Sequence, residues 1–168
     1  MSRIDLRRLG LRPGEVRRER VEVELEPFLL GGQRYEAHPA TMPVDVEITQ
    51  ASGANVFDMR LHTKLAGPCM RCLGYAEIDA DTKAQEYHDP ASSDEALRSD
   101  YISEDELDVG AWGRDAIALA LPEQVLCRPD CAGLCPVCGK DLNAEPHEHV
   151  EERIDPRWAA LESLRDQL

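Results

Sequence analysis

The sequence has few aromatic residues and no long apolar segment. Aromatic side chains make up 5% of the 168 residues, whereas charged side chains make up 31%. This composition offers less apolar surface for burial than an ordinary domain has, so we expect a modest core and some chain outside it. No stretch approaches the ~20 consecutive apolar residues that a membrane-spanning helix needs. The sequence therefore predicts no membrane association through a helix.

Basic residues are a minority and are unevenly distributed. The chain has 19 Lys and Arg against 33 Asp and Glu, a formal net charge of −14. That balance excludes the basic surface typical of nucleic-acid-binding proteins over most of the molecule. Residues 1–20, however, contain seven arginines against three acids. We interpret them as a basic N-terminal arm in which Arg7 and Arg8 are candidate RNA contacts, with a solvated terminus as the open alternative.

Sequence patterns that mark enzymes are also missing. The chain has no phosphate-binding glycine loop, no His-Glu-x-x-His helix and no nucleophile elbow, so we expect neither catalytic residues nor a small-molecule substrate. The first residues mix charged and apolar side chains and lack the apolar block of a signal peptide. A cytoplasmic location is the default expectation. In that reducing compartment, cysteines are more often metal ligands or reactive thiols than disulfides.

What the first half of the sequence does have is the apolar and polar alternation of half-buried strands. The alternation is clearest at residues 21–25, 44–48, 57–65 and 76–84. The last two segments flank a candidate hairpin tip at 67–74. After an acid-rich stretch, apolar residues recur with helical spacing and stop before a proline, which predicts a core-facing helix. Its predicted apolar stripe consists of Val109, Trp112, Ala116, Leu119 and Ala120.

These patterns predict an α+β fold. A curved, mostly antiparallel sheet would carry a covering helix at 109–121, a cysteine-rich knuckle region and a C-terminal helix. Whether the sheet closes into a barrel stays open. The predicted organisation is a basic arm (1–20), a single domain (21–143) that includes an acidic loop (86–108) and a cysteine-rich module (127–143), and an acidic linker with a C-terminal helix (144–168).

Six cysteines carry the one pattern with a defined chemistry. They are Cys69, Cys72, Cys127, Cys131, Cys135 and Cys138. The CxxC pairs at 69/72 and 135/138 have the spacing that lets two thiolates bind one tetrahedral Zn²⁺ from a tight turn. Gly74 and Gly139 follow the pairs and are expected to let the chain turn there. We predict a structural zinc site, because all-cysteine ligation leaves no open coordination position for catalysis.

Two groupings of the cysteines are compatible with one such site. Either the two CxxC pairs come together, or the four cysteines from Cys127 to Cys138 form a local site. A tetrahedral ion takes four sulfur ligands, so either two cysteines are spare or the number of metal ions is not one. His147 and His149 lie among glutamates, which favours an exposed tail over a role as ligands.

Four motifs resemble the YceD family, the large ribosomal RNA subunit accumulation proteins. They are CMRCL at 69–73, ALALP at 118–122, CRPDCAGLCPVCGKDLN at 127–143 and DPRWAAL at 155–161. The resemblance implies a cytosolic, non-catalytic factor needed for the accumulation of 23S ribosomal RNA. It carries over no catalytic residue.

Two hypotheses about function follow. In the first, the protein is a ribosome-assembly factor whose acidic body engages a large-subunit ribosomal protein or an assembly intermediate. Ribosomal RNA would then touch the basic arm or Arg71, Arg128 and Lys140, which lie near the knuckles. In the second, the protein is a zinc-based or thiol-based regulator that uses its spare cysteines to sense redox state.

Overall fold

The computed structural model describes residues 2–51 and 53–149. The chain divides into two compact units, Met1–Cys131 and Ala132–Leu168. The predicted C-terminal helix falls in 150–168 and lies outside the described residues. None of the described helices is long and apolar enough to cross a membrane.

The first unit contains all the regular secondary structure found among the described residues. Its strands are β1 (Arg3–Asp5), β2 (Val16–Glu24), β3 (Phe28–Leu30), β4 (Gln33–His38), β5 (Thr41–Ala51), β6 (Ala54–Pro68), β7 (Tyr75–His88), β8 (Ile102–Ser103) and β9 (Glu106–Asp108). Its helices are α1 (Leu6–Leu9), a 3-10 helix (Glu95–Leu97) and α2 (Val109–Ala120).

The strands form one six-stranded and one three-stranded sheet. In the larger sheet the order is β2-β5-β6-β4-β3, and β7 pairs with β6 on its other edge. The smaller sheet has the order β1-β9-β8. Every strand pair among these elements is antiparallel, and neither sheet closes on itself, so no barrel forms in the described residues. This confirms the predicted α+β class with a mostly antiparallel sheet.

The alternating residues predicted to face inward do form the core. Val46, Phe57 and Met59 are buried on one face of the larger sheet, and α2 packs against β2, β6 and β7. The covering helix is confirmed at Val109–Ala120, with Trp112 buried. Leu119 and Ala120, however, are exposed, Leu119 at 89%, and do not belong to the buried stripe. Leu119 lies at the edge of the helix face that meets the sheet, where the helical period turns it toward solvent, and Ala120 is the last residue of the helix.

The basic and acidic segments are built into the fold. The N-terminal residues supply β1, α1 and part of β2, and β1 pairs with β9 inside the acid-rich stretch. Arg7 lies 2.6 Å from Asp105, and Arg3 lies 3.4 Å from both Glu106 and Asp108. The sequence pattern suggested a free basic arm and an irregular acidic loop. In the structure, ion pairs and the pairing of β1 with β9 join the N-terminal segment to the acidic segment. The boundaries predicted at 20/21 and 143/144 stay predictions.

The tip of the β6–β7 hairpin is fixed by one aromatic ring. The buried Tyr35 hydroxyl donates a hydrogen bond to the Pro68 carbonyl at 2.8 Å, directly before Cys69. The ring of Tyr35 fills the space beside Gly67. A Cβ atom added at Gly67 would lie 2.4 Å from the Tyr35 Cδ1 atom and 2.9 Å from the Arg34 carbonyl oxygen. Only glycine fits this position, and the contact aligns the hairpin tip.

We expect the substitution Gly67→Ala to lower the free energy of unfolding by about 1–3 kcal/mol, because the buried ring cannot move aside. Denaturant unfolding followed by circular dichroism measures the loss. In a Tyr35→Ala background the added methyl group has more room, so the same substitution should cost less. An equal cost in both backgrounds would contradict the proposed ring contact.

Candidate metal centres

Metal-ligating side chains gather in two clusters, one in each unit. The first consists of Cys69, Cys72, Cys127 and Cys131, and the second consists of Cys135, Cys138, His147 and His149. Within each cluster the four donor atoms lie within 4.8 Å of one another. Each set has four soft or borderline donors, the number that a tetrahedral metal ion takes, and so each could hold a metal ion.

The first cluster begins at the turn of residues 69–74, which follows β6 and which we call the first knuckle. The N–H of Leu73 donates to the Cys69 carbonyl at 3.0 Å, and the N–H of Cys69 donates to the Gly74 carbonyl at 2.6 Å. The Arg71 N–H points at the Cys69 sulfur, 3.5 Å away. Leu73, which follows the second cysteine, has φ 59°. The chain thus turns in the left-handed region one residue before Gly74, the position that the sequence suggested.

The turn of residues 135–140 in the second unit, the second knuckle, has the same hydrogen-bond pattern as the first knuckle. The N–H of Gly139 donates to the Cys135 carbonyl at 2.8 Å, and the N–H of Cys135 donates to the Lys140 carbonyl at 2.8 Å. Gly139, again the residue after the second cysteine, has φ 72°. This left-handed conformation is the one predicted for Gly139, and glycine adopts it without the Cβ clash that other residues suffer.

The segment of residues 124–131, which follows α2, supplies the other half of the first cluster. The Met70 N–H donates to the Val125 carbonyl at 2.9 Å, which aligns this segment with the knuckle. The Arg71 guanidinium reinforces the alignment by donating to the Gln124 side-chain oxygen and to the Cys131 carbonyl, both at 3.1 Å. Arg71 therefore joins the two halves of the cluster.

The sulfur separations in the first cluster fit one tetrahedral ion. The sulfurs of Cys69 and Cys131 are 3.8 Å apart, and those of Cys72 and Cys127 are 3.7 Å apart. Zn²⁺ with ~2.3 Å bonds to sulfur in a tetrahedral site separates neighbouring sulfurs by ~3.8 Å. The same separations are far longer than the ~2.05 Å of a disulfide bond, and all six cysteines are free.

The ionisation of the first cluster favours a bound cation. Burial raises the pKa of Cys69, but N–H groups of Cys72, Cys127 and Arg71 outweigh it and lower that pKa to about 6. Desolvation and the sulfurs of Cys72 and Cys131 raise the pKa of Cys127 to about 12. One thiolate therefore forms readily while its neighbour resists ionisation, since like charges repel at this distance. A divalent cation would remove that repulsion and let all four sulfurs ionise.

In the second cluster, a histidine ring is oriented by the backbone. The Nδ1 atom of His147 lies 2.7 Å from the Glu145 carbonyl oxygen, and its Nε2 atom lies 3.1 Å from the Cys138 sulfur. The rings of His147 and His149 have centroids 5.0 Å apart at an interplanar angle of 88°. The N–H groups of Cys138 and Val137 lower the pKa of Cys135 to about 6 against its desolvation.

The structure groups the cysteines differently from both arrangements considered for the sequence. All six lie in a cluster, but Cys69 and Cys72 meet Cys127 and Cys131, while Cys135 and Cys138 meet two histidines. The histidines were the residues that sequence reasoning missed. The spacing Cys-x₈-His-x-His after the second CxxC pair is the signal that could have revealed them.

Each basic residue predicted to contact RNA has a partner within the protein. Arg71 binds Gln124 and the Cys131 carbonyl as described above. The other four form ion pairs with nearby acids: Arg7 with Asp105, Arg8 with Asp5, Arg128 with Asp130 and Lys140 with Glu145. Arg8 keeps 87% of its side chain exposed. RNA contact by these residues stays a prediction.

Comparison with known proteins places this chain among bacterial relatives. It is 34% identical to the uncharacterized protein Rv2926c of Mycobacterium tuberculosis and to the uncharacterized protein Mb2951c of Mycobacterium bovis, in each case over 94% of this chain and 78% of the relative. It is 27% identical to the uncharacterized protein YlbN of Bacillus subtilis over 73% of this chain and 71% of the relative. No solved structure matches it.

A family model described as large ribosomal RNA subunit accumulation protein YceD matches residues 57–165. The match includes all six cysteines, both histidines of the second cluster and α2. Because it spans more than half of the chain, and because the mycobacterial relatives align over nearly all of it, the chain belongs to the YceD family.

Proposed function

We propose that this protein is a non-catalytic factor in the accumulation of large-subunit 23S ribosomal RNA. It would act in ribosome assembly by binding a large-subunit ribosomal protein or an assembly intermediate. The observation that carries the proposal is membership of a family whose description names accumulation of the large ribosomal RNA subunit. The candidate sites support a non-catalytic role, because four cysteine or histidine donors on one ion leave no open coordination position.

The charge distribution supports a protein partner for the main surface. Most arginines of the N-terminal segment form ion pairs within the protein, as in the pairs of Arg7 with Asp105 and Arg18 with Glu47. The acidic segment 86–108 contains nine acids, of which Asp105, Glu106 and Asp108 pair with arginines. Exposed acids such as Glu95, Asp100 and Glu104 are then left to attract a basic partner, since a negative surface repels phosphate.

We further propose that the first cluster holds a structural zinc ion. Two buried thiols, Cys69 and Cys131, already belong to the hydrophobic core. An ion bound there would fasten the β6–β7 hairpin tip to the segment after α2. Structural zinc contributes free energy on the order of 10 kcal/mol to the folding of small peptides, which offsets the limited core of an aromatic-poor chain.

The zinc proposal predicts that Cys69→Ser and Cys127→Ser each lose the same single equivalent of zinc and unfold at lower temperature. Metal content by atomic spectroscopy and thermal unfolding by circular dichroism measure both effects. Leu73→Gly is the matched control: it changes the same knuckle, keeps every thiol and suits the positive φ, so it should keep its zinc. Full zinc content in either serine variant would refute the assignment.

The partner proposal predicts that the native protein captures large-subunit components from lysate at moderate salt. The variant Glu95→Gln/Asp100→Asn/Glu104→Gln should capture several-fold less, because it removes three exposed charges without touching an ion pair of the segment. The control variant Glu22→Gln/Asp79→Asn/Asp81→Asn removes three exposed acids of the larger sheet and should behave like the native protein. Capture that includes no ribosomal component, or equal losses in the two variants, would count against the proposal.

A thiol-based regulatory function is the second candidate, and one contact favours it. Cys127 is exposed, and its sulfur lies 3.7 Å from that of Cys72. If Cys72 and Cys127 bound zinc as thiolates, hydrogen peroxide could take two electrons from them and join them in a Cys72–Cys127 disulfide. With two protons from solvent the peroxide would be reduced to two waters, and the zinc would lose two ligands and leave.

This second function predicts that mild peroxide lowers the zinc content of the native protein and that a thiol reductant restores it. Native mass spectrometry reads the protein and its bound metal together. Zinc that stays bound through the oxidant treatment would exclude the redox function while leaving the ribosomal proposal intact.

A further inference from the structure

Residues 132–149, the described part of the second unit, have ordered turns that no apolar core among these residues explains. Within residues 132–149, the one buried side chain is that of Cys135. The only ladder contact there is an isolated bridge between Leu134 and Asp141. Apolar burial contributes about 25 cal/mol per Å² removed from water, so this segment gains little from it. Another interaction must offset the conformational entropy lost when the segment folds.

The backbone of this segment is nonetheless arranged around the knuckle. The Leu142 N–H donates to the Gly133 carbonyl at 2.9 Å, and the Asn143 side-chain oxygen accepts from the Ala132 N–H at 2.8 Å. The second knuckle repeats the two hydrogen bonds of the first knuckle. In both, the residue after the second cysteine has a left-handed backbone conformation. A half-site of the same geometry therefore exists in both units. In the first it is completed by two cysteines, and in the second it faces two histidines.

The orientation of His147 selects the tautomer that binds metal. A carbonyl oxygen can only accept a hydrogen bond, so at 2.7 Å from the Glu145 carbonyl the Nδ1 atom of His147 carries the hydrogen. In the neutral ring the Nε2 atom then carries the lone pair, and it lies 3.1 Å from the Cys138 sulfur. A histidine ligand usually donates its other ring N–H to a carbonyl or carboxylate, which fixes the ring in this way.

We infer that the second unit binds its own structural zinc ion through Cys135, Cys138, His147 and His149, and that this ion folds residues 132–149. The protein then binds two zinc ions in separate sites, with four sulfur ligands in one and two sulfur and two nitrogen ligands in the other. All six cysteines are used, so none is spare. The inference stands whether or not the protein acts in ribosome assembly.

The two sites differ in their exposure to solvent. Cys69 and Cys131 are buried in the first site, whereas Cys138 and His149 are exposed in the second. All four ligands of the second site also lie within fifteen consecutive residues, so opening it does not require the larger sheet to unfold. A chelator should therefore remove the second zinc first.

Metal counting by native mass spectrometry tests the inference. The native protein should carry two zinc ions and release them in two steps to a chelator. The variant His147→Ala/His149→Ala should carry one, and it should lose the faster step. Glu148→Ala, which changes the exposed residue between the two histidines, is the matched control and should keep two ions. A single ion in the native protein, or two ions in the double histidine variant, would overturn the inference.

Cobalt substitution separates loss of the site from general misfolding. Thiolate-to-cobalt charge-transfer absorption should fall by about one third if the second site alone is lost, since two of six bound thiolates go. Hydrogen exchange should then increase in 132–149 and stay unchanged in β5, β6 and α2. Loss of protection throughout the sheet, or unchanged protection in 132–149, would contradict an independent second site.

Discussion

Repulsion among four closely spaced sulfur atoms is the constraint on which the first unit depends. Cys69, Cys72, Cys127 and Cys131 come from chain segments more than fifty residues apart, and their sulfurs lie within 4.8 Å of one another. Thiolates at that distance need a cation between them. The hairpin tip and the segment after α2 bring together four sulfur donors that could hold a metal ion, and the hydrogen bonds of Tyr35 and Arg71 position these two segments. An ion bound there would add stability that the few aromatic residues of the core do not supply.

The uneven distribution of charge along the chain is also explained by contacts between distant segments. Its −14 balance and its arginine-rich beginning look contradictory along the sequence. In the fold, strand β1 lies against β9, and Arg3 and Arg7 pair with acids of the acidic segment. These exposed pairs are individually weak, since solvent and salt screen them. Their main consequence is electrostatic: the basic segment offers less unpaired positive charge than its composition suggests.

The candidate metal residues could be found from the sequence, but their grouping could not. CxxC spacing identified the thiols because two ligands from one tight turn are a local property. Which turn meets which partner depends on where β6 and β7 end and on the path of the chain after α2. The sequence favoured an exposed tail over a ligand role for His147 and His149 because their glutamate-rich surroundings look solvated, and the orientation of the His147 ring by Glu145 is visible only in three dimensions.

The sequence by itself determined β2, β5, β6, β7 and α2, because alternation with period two and a helical repeat ending at Pro122 are local signals. It also identified the six thiols as candidate metal ligands. The tertiary structure decided the pairing of β1 with β9, the exposure of Leu119, the ion pairs of the N-terminal segment and the division of donors between two clusters. Each of these depends on contacts between residues distant in the chain or on the exact direction of a side chain, and neither is encoded in residue spacing.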